Sequence, residues 1–132
     1  MILVDTSVLI DYFRGSSNLS TERFNKIRTR DIPFGINNYI YQELLQGAAS
    51  ERDFESLRGY LSTQRFYDLK HGRASHESAA RLYFRCRKKG LTVRSTVDFI
   101  IIQTAIENNL MLLHNDSDFN AIAKIIKELK IY

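Results

Sequence analysis

The chain has 132 residues, 44% of them hydrophobic, with 19 Lys and Arg against 15 Asp and Glu for a net charge of +4. This fits one domain spanning residues 1–132 with a real core, and it excludes a disordered chain. The single cysteine, Cys86, excludes an internal disulfide and a cysteine-based zinc site within one chain, which points to a reducing cytoplasm.

The opening "MILV" reads as a short buried strand. Asp5 interrupts it after four apolar residues, and with no basic leader or small-residue cleavage pattern it does not read as a signal peptide. "SVLIDYFRG" has helical spacing, with Gly15 as its stop. "GSSNLS" is loop-like, and Ser20 or Thr21 is placed to cap a helix through "ERFNKIRTR". "IPFGIN" is a second strand candidate, after which Asn37 or Asn38 caps "YIYQELLQGA". "SERDFESLRGYL" is a helix capped by Ser50, and "RFYDL" is a short strand. "SHESAARLYFRCRKKG" is a helix that ends in basic residues and Gly90, a charge placement that suits the helix dipole. "STVDFIIIQTAIENN" is apolar almost all round and reads as the buried helix. "LMLLH" is a strand, "DFNAIAKII" the last helix and "LKIY" the last strand. No apolar run approaches the roughly 20 residues that span a bilayer, so no membrane role is expected. Short strands alternating with helices predict an α/β fold with a mostly parallel sheet of four to five strands and helices on both faces.

Ligands in such folds sit beyond the C-terminal ends of the strands. Asp5 follows "MILV" directly, and Asp116 and Asp118 follow "LMLLH" in the stretch "LLHNDSDF". Asp98 heads a stripe of Ile101, Ile102 and Ala105 by i+3, i+4 and i+7 spacing, and Glu43 rides with Ile40, Leu44 and Gly47. Each acid alone has an ordinary explanation. Asp5, Asp116 and Asp118 could be turn or cap residues, Asp98 could favour a helix dipole, and Glu43 could reach solvent. Gathered at one sheet edge, however, they would repel one another and raise their pKa values, and a divalent cation removes that repulsion. Carboxylates without cysteine or a paired-histidine motif suit Mg²⁺ or Mn²⁺. Such an ion shares its shell with phosphate, so phosphodiester hydrolysis is the natural chemistry.

"ILVDTSVLIDYF", "ELLQGA", "TVDFIIIQTAIENNL" and "LLHNDSDF" together resemble the four motifs of PIN-domain ribonucleases, and more narrowly the VapC toxins of bacterial toxin–antitoxin pairs. Each motif is weak alone; the four stand in the family's order from Met1 to about Phe119. The resemblance implies a PIN-like three-layer fold and an endoribonuclease using Mg²⁺ or Mn²⁺. Its acidic set would be Asp5, Glu43, Asp98 and Asp116, with Asp118 as a further member. Thr6, Ser7 and Asn115 match polar positions that orient the acids or a bound water. The resemblance also implies an RNA substrate (a tRNA or rRNA), a homodimer, and inhibition by a small VapB-type antitoxin that itself binds operator DNA.

The net positive charge mildly favours a polyanionic partner. On the basic helix, Arg81, Arg85, Lys88 and Lys89 can line one side, either as an RNA backbone contact or as a solvated helix end. Tyr83 and Phe84 beside them read as core or dimer contacts before base-stacking platforms. His114 could serve as a base or metal ligand, though the acids already supply a metal site. His71 and His76 have no visible partner. A nuclease acting on rRNA precursors or structured DNA would use the same site chemistry. A phosphate-accepting receiver-like module would need paired aspartates after the first strand and a late lysine, which are absent. A degenerate PIN-like binding module would have lost its acids, and all are present.

Overall fold

The computed structural model describes residues 1–132. Its strands are β1 (Ile2–Val4), β2 (Phe34–Ile36), β3 (Arg65–Phe66), β4 (Met111–Leu113) and β5 (Lys130–Ile131). Its helices are α1 (Thr6–Phe13), α2 (Leu19–Thr29), α3 (Asn38–Gln46), α4 (Glu51–Leu61), α5 (Arg73–Lys88), α6 (Thr96–Glu107) and α7 (Ser117–Ile125). The sheet runs in the order β3-β2-β1-β4-β5, and every pairing is parallel. The expected α/β architecture is therefore present, at five strands with no antiparallel member.

The strands are short apolar runs because both faces of the sheet are covered, so alternation has no purpose. All three residues of β1 are buried, as are Leu112 and Leu113 of β4 and Ile36 of β2. Right-handed crossovers, the near-universal hand of parallel connections, would put α1 to α4 on one side of the sheet and α5 to α7 on the other. The packing between helices agrees: α1 lies on α2 and α3, and α3 on α4, whereas α5 lies on α6 and α7. Strand order reverses between β1 and β4, so the crevice beyond their C-terminal ends is the topological switch point. The register Val4↔Leu113 puts both ends level.

At Gly35 in β2, an added Cβ would lie 2.4 Å from the Arg65 carbonyl oxygen and 2.7 Å from the Tyr67 ring. Only hydrogen fits between β2 and β3 there. In α6, every residue from Phe99 to Ala105 is buried, as its all-round apolar pattern predicts.

Two helix starts differ from expectation. α2 is capped by Asn18, not by Ser20 or Thr21. Asn18 Oδ1 accepts the Thr21 N–H at 3.0 Å and the Ser20 hydroxyl at 2.6 Å, and Thr21 Oγ1 accepts the Asn18 N–H in return. The two hydroxyls are thus inside the helix, completing a cap that begins earlier. α5 starts at Arg73 after Gly72, whose φ of 53° no branched side chain adopts comfortably. Ser75 is buried and its Oγ accepts the His71 N–H at 3.0 Å, which folds the preceding turn back onto the helix.

Candidate active site

The acids reach the switch point because four elements begin or pass there. Asp5 ends β1 and caps α1, its Oδ2 accepting the Ser7 N–H at 3.1 Å and the Ser7 hydroxyl at 2.6 Å. Its own N–H donates to the Leu113 carbonyl at 2.9 Å, which ties the end of β1 to the end of β4. Asp116 caps α7, with Oδ1 accepting the Asp118 N–H at 2.9 Å. Asp98 lies in the first turn of α6, whose cap is Ser95. The N-terminal ends of three helices thus lend partial positive charge to this acidic ground. The cap and dipole explanations for these residues hold in the structure, alongside their gathering.

Carboxylate oxygens of Asp98, Asp116 and Asp118 lie within 4.8 Å of one another, a spacing that could hold a metal ion. Asp98 and Asp116 are partly buried and Asp118 is exposed. Burial and then the charges of Asp5, Asp116 and Asp118 push the Asp98 pKa up to about 6. Asp5 is only 6% exposed, and burial raises its pKa against the lowering pull of its Ser7 hydrogen bonds. Glu43 is raised by partial burial and by the charge of Asp5. Asp98 and Glu43 are thus each raised in part by neighbouring carboxylates, Asp5 among them in both cases, which is the electrostatic signature of a shared site. Glu43 differs in standing open to solvent on α3 while Ile40 and Leu44 turn inward.

The polar residues divide. Ser7 orients Asp5, and its Oγ accepts the Asn115 N–H at 2.9 Å, so it links the first strand's acid to the turn that carries Asp116. The Thr6 hydroxyl is buried with no partner in the protein and does not bond the acids. His114 accepts the Asp116 N–H at Nδ1, 3.1 Å, and its ring lies tilted on Phe119. Burial holds its pKa below the usual imidazole range, against the opposing charges of Asp5 and Asp116. One ring nitrogen is thus committed to the turn.

Sequence reasoning missed Asp11. Its Oδ2 accepts the Asn115 side-chain amide at 2.8 Å and the Asn18 amide at 2.9 Å. The available signal was its position four residues after Ser7, on the same face of α1.

α5 and α6 run antiparallel. The Tyr83 ring packs on Phe99 at 5.4 Å, while Ser75 reaches Glu107 at the other end. The basic end of α5 therefore lies toward the Asp98 end of α6. Arg81, Lys88 and Lys89 make no ion pair there, and Lys88 and Arg87 lie over the exposed Phe84 ring. Arg85 departs from the expected set, since it pairs with Glu128 at 3.1 Å. The i+4 spacing that groups it with Arg81 takes no account of the acid that the last turn brings beside it.

Beside the acids, Ile10, Phe13, Leu44, Leu57 and Tyr60 line an open groove of about 490 Å³ between α1, α3 and α4, with Glu43 at its edge. No helix of the chain is long and apolar enough to cross a membrane.

The chain resembles known proteins in sequence and in fold. Ribonuclease VapC11 of Mycobacterium tuberculosis is 28% identical over 126 residues, covering 95% of this chain and 93% of its own. Among solved structures, DNA-bound VapBC from Salmonella typhimurium superposes with a TM-score of 0.73 at 24% identity, covering 99% of this chain and 96% of that one. VapBC2 from Rickettsia felis, bound to a DNA fragment from its promoter, gives 0.72 at 18% identity, covering 100% and 98%. The model of the PIN domain family matches residues 2–125, and the chain belongs to that family.

Proposed function

We propose that this chain is a VapC-type endoribonuclease toxin that hydrolyses phosphodiester bonds in a tRNA or rRNA with Mg²⁺ or Mn²⁺. In this reading it works as a single-domain homodimer in the cytoplasm, held inactive by a VapB-type antitoxin that alone contacts operator DNA. The observation that carries the reading is the gathering at one switch point of Asp98, Asp116 and Asp118, whose carboxylates could share an ion, with Asp5 close enough to raise both Asp98 and Glu43. The name of the mycobacterial relative supports the activity, and the VapBC complexes support the antitoxin.

The donor set fits a hard divalent cation. It is all oxygen, it carries excess negative charge, and the one cysteine, Cys86, is buried in α5. Asp98, Asp116 and Asp118 would hold the ion, with Asp5 as the fourth acid on the β1 side. Bound there, the cation would neutralise charge on the phosphate oxygens and acidify a water. The protein's own groups do the rest. Ser7 fixes the rotamer of Asp5, so one carboxylate oxygen keeps a constant direction. Glu43, raised and open to solvent, is suited to take up or release a proton at the rim. Arg81, Lys88 and Lys89 would receive the RNA backbone at the α6 end. The groove beside Glu43 offers an apolar seat for an antitoxin segment that also reaches the acids.

The test is cleavage of a total small-RNA pool, with Mg²⁺ or with EDTA, by the wild type and by Asp5→Ala purified identically. Cleavage at discrete positions that is lost in both EDTA and the variant is expected. Equal cleavage by the variant would refute the assigned site.

A further inference from the structure

The geometry points to Asp11 as a positioning residue that sets the wall of the acidic site, by clamping Asn115 against α1. This rests on the metal-dependent reading above. Asn115 immediately precedes Asp116, and it is held at two points one helical turn apart. Its backbone N–H donates to Ser7 Oγ at 2.9 Å, and its side-chain amide donates to Asp11 Oδ2 at 2.8 Å. One bond would place the turn, whereas two also fix its rotation. The orientation of Asp116 and Asp118 depends on that rotation, which these two bonds set together with the Asp116 N–H on His114 Nδ1, while the Asp116 carboxylate itself is braced by the Asp118 N–H.

Asp11 is itself fixed from the other side. The Asn18 amide donates to the same Oδ2 at 2.9 Å. Asn18 has no freedom to leave, since its side-chain oxygen is occupied as the cap of α2 by the Thr21 N–H and the Ser20 hydroxyl. A rigid line therefore runs from the α2 cap through Asp11 and Asn115 to Asp116. Charged acceptors make the stronger hydrogen bonds, so a carboxylate suits a post that receives two amides. Asp11 stands outside the group of acids whose oxygens could share an ion, so its role acts through Asn115.

Mn²⁺ titrations of the full chain, read by calorimetry and by the unfolding temperature, test this beside the cleavage rate. Asp11→Ala is expected to weaken Mn²⁺ binding about tenfold or more and to lower kcat, the scale seen when residues behind metal ligands are removed. Asp11→Asn is expected to stay within about threefold of wild type, because one amide oxygen can still accept both donors. Ser50→Ala, which removes the remote cap of α4, should lower the unfolding temperature while leaving Mn²⁺ affinity unchanged. Asn115→Ala should reproduce the Mn²⁺ loss, and the double variant should lose no more than either single one, since both cut the same link. If Asp11→Ala unfolds, Asn115→Ala and Asp11→Asn carry the test. Wild-type Mn²⁺ affinity in Asp11→Ala or Asn115→Ala, or an Asp11→Asn as impaired as alanine, would overturn the assignment. Mn²⁺ binding by a wild type that cleaves no RNA would sink the ribonuclease reading and leave the clamp standing, whereas a wild type that binds no Mn²⁺ would overturn both.

Discussion

The Asp5 N–H donates to the Leu113 carbonyl at 2.9 Å across the ends of β1 and β4. This single ladder bond brings residues more than a hundred positions apart into one site, because the acid after each strand inherits the register of the strand. It also explains why ionising Asp5 has a cost. The strand that positions it also buries it, and burial raises its pKa. Asp5→Asn keeps the shape and cannot ionise. Without divalent ions the variant should unfold at a higher temperature than wild type at pH 7.5, while its cleavage falls by roughly 10²-fold or more, the scale of a missing acid–base group. A variant that is both less stable and fully active would contradict this account of the residue.

Asp98 gives the site its pH dependence. Its folded pKa, about 6, lies above the ordinary 3.8. Between those values the folded state binds more protons than the unfolded one, so metal-free stability falls as pH rises through that window and then levels off. Allowing for partial exposure and solvent screening, the loss is on the order of 1–2 kcal/mol. Asp98→Asn should flatten the fall. Mn²⁺ should reverse it in wild type, with a stabilisation that grows as pH rises through 6, since protons and cation compete for the same carboxylate. Unfolding temperatures from pH 4 to pH 8, with and without Mn²⁺, check both. A metal-free profile that rises across the window would show that Asp98 is not the crowded acid described here.

Much of this was readable in the sequence because the relevant signals are local. Asp5 follows an apolar run and Asp98 heads one, and such runs become strands or buried helices wherever they fall. The position of Asn18 was also visible, but "SSNLS" offers several competing caps, and only the folded loop selects one. Asp11 was hidden for a different reason. Its partners, Asn18 and Asn115, lie seven and 104 residues away, and no periodicity encodes a bond across that distance. Arg85 fails in the same way, since Glu128 arrives beside it only through the packing of α5 on the C-terminal elements.

The pairing of Arg85 sorts the basic helix. Lys88 and Lys89 have no acidic partner, so their charge is free to meet phosphate. Lys88→Ala with Lys89→Ala should weaken RNA binding and flatten its salt dependence by about one to two units of slope, roughly 0.7–0.9 for each phosphate no longer neutralised. Arg85→Ala should change the slope little, because Glu128 already neutralises it. Filter binding of a catalytically silent Asp5→Asn protein across roughly 50–300 mM salt measures each slope, at ionic strengths where such screening is felt. Equal slopes for all three proteins would assign the basic end of α5 to helix solvation alone.

Gly35 separates the stability of the sheet from the chemistry of the site. An alanine Cβ there meets a backbone carbonyl at 2.4 Å and the Tyr67 ring at 2.7 Å, and the carbonyl belongs to the neighbouring strand and cannot rotate away. Gly35→Ala must push β3 off β2, at a cost of about 1–3 kcal/mol for overpacking of this kind. β3 is the edge strand farthest from β4, and it carries none of the gathered acids. The variant should therefore lose several degrees of unfolding temperature while keeping Mn²⁺ affinity and cleavage at about 25 °C close to wild type, the opposite pairing to Asp5→Asn. If cleavage falls in step with stability, the acids depend on the β2–β3 edge as well as on the β1–β4 crevice, and the site is less confined to the switch point than its geometry indicates.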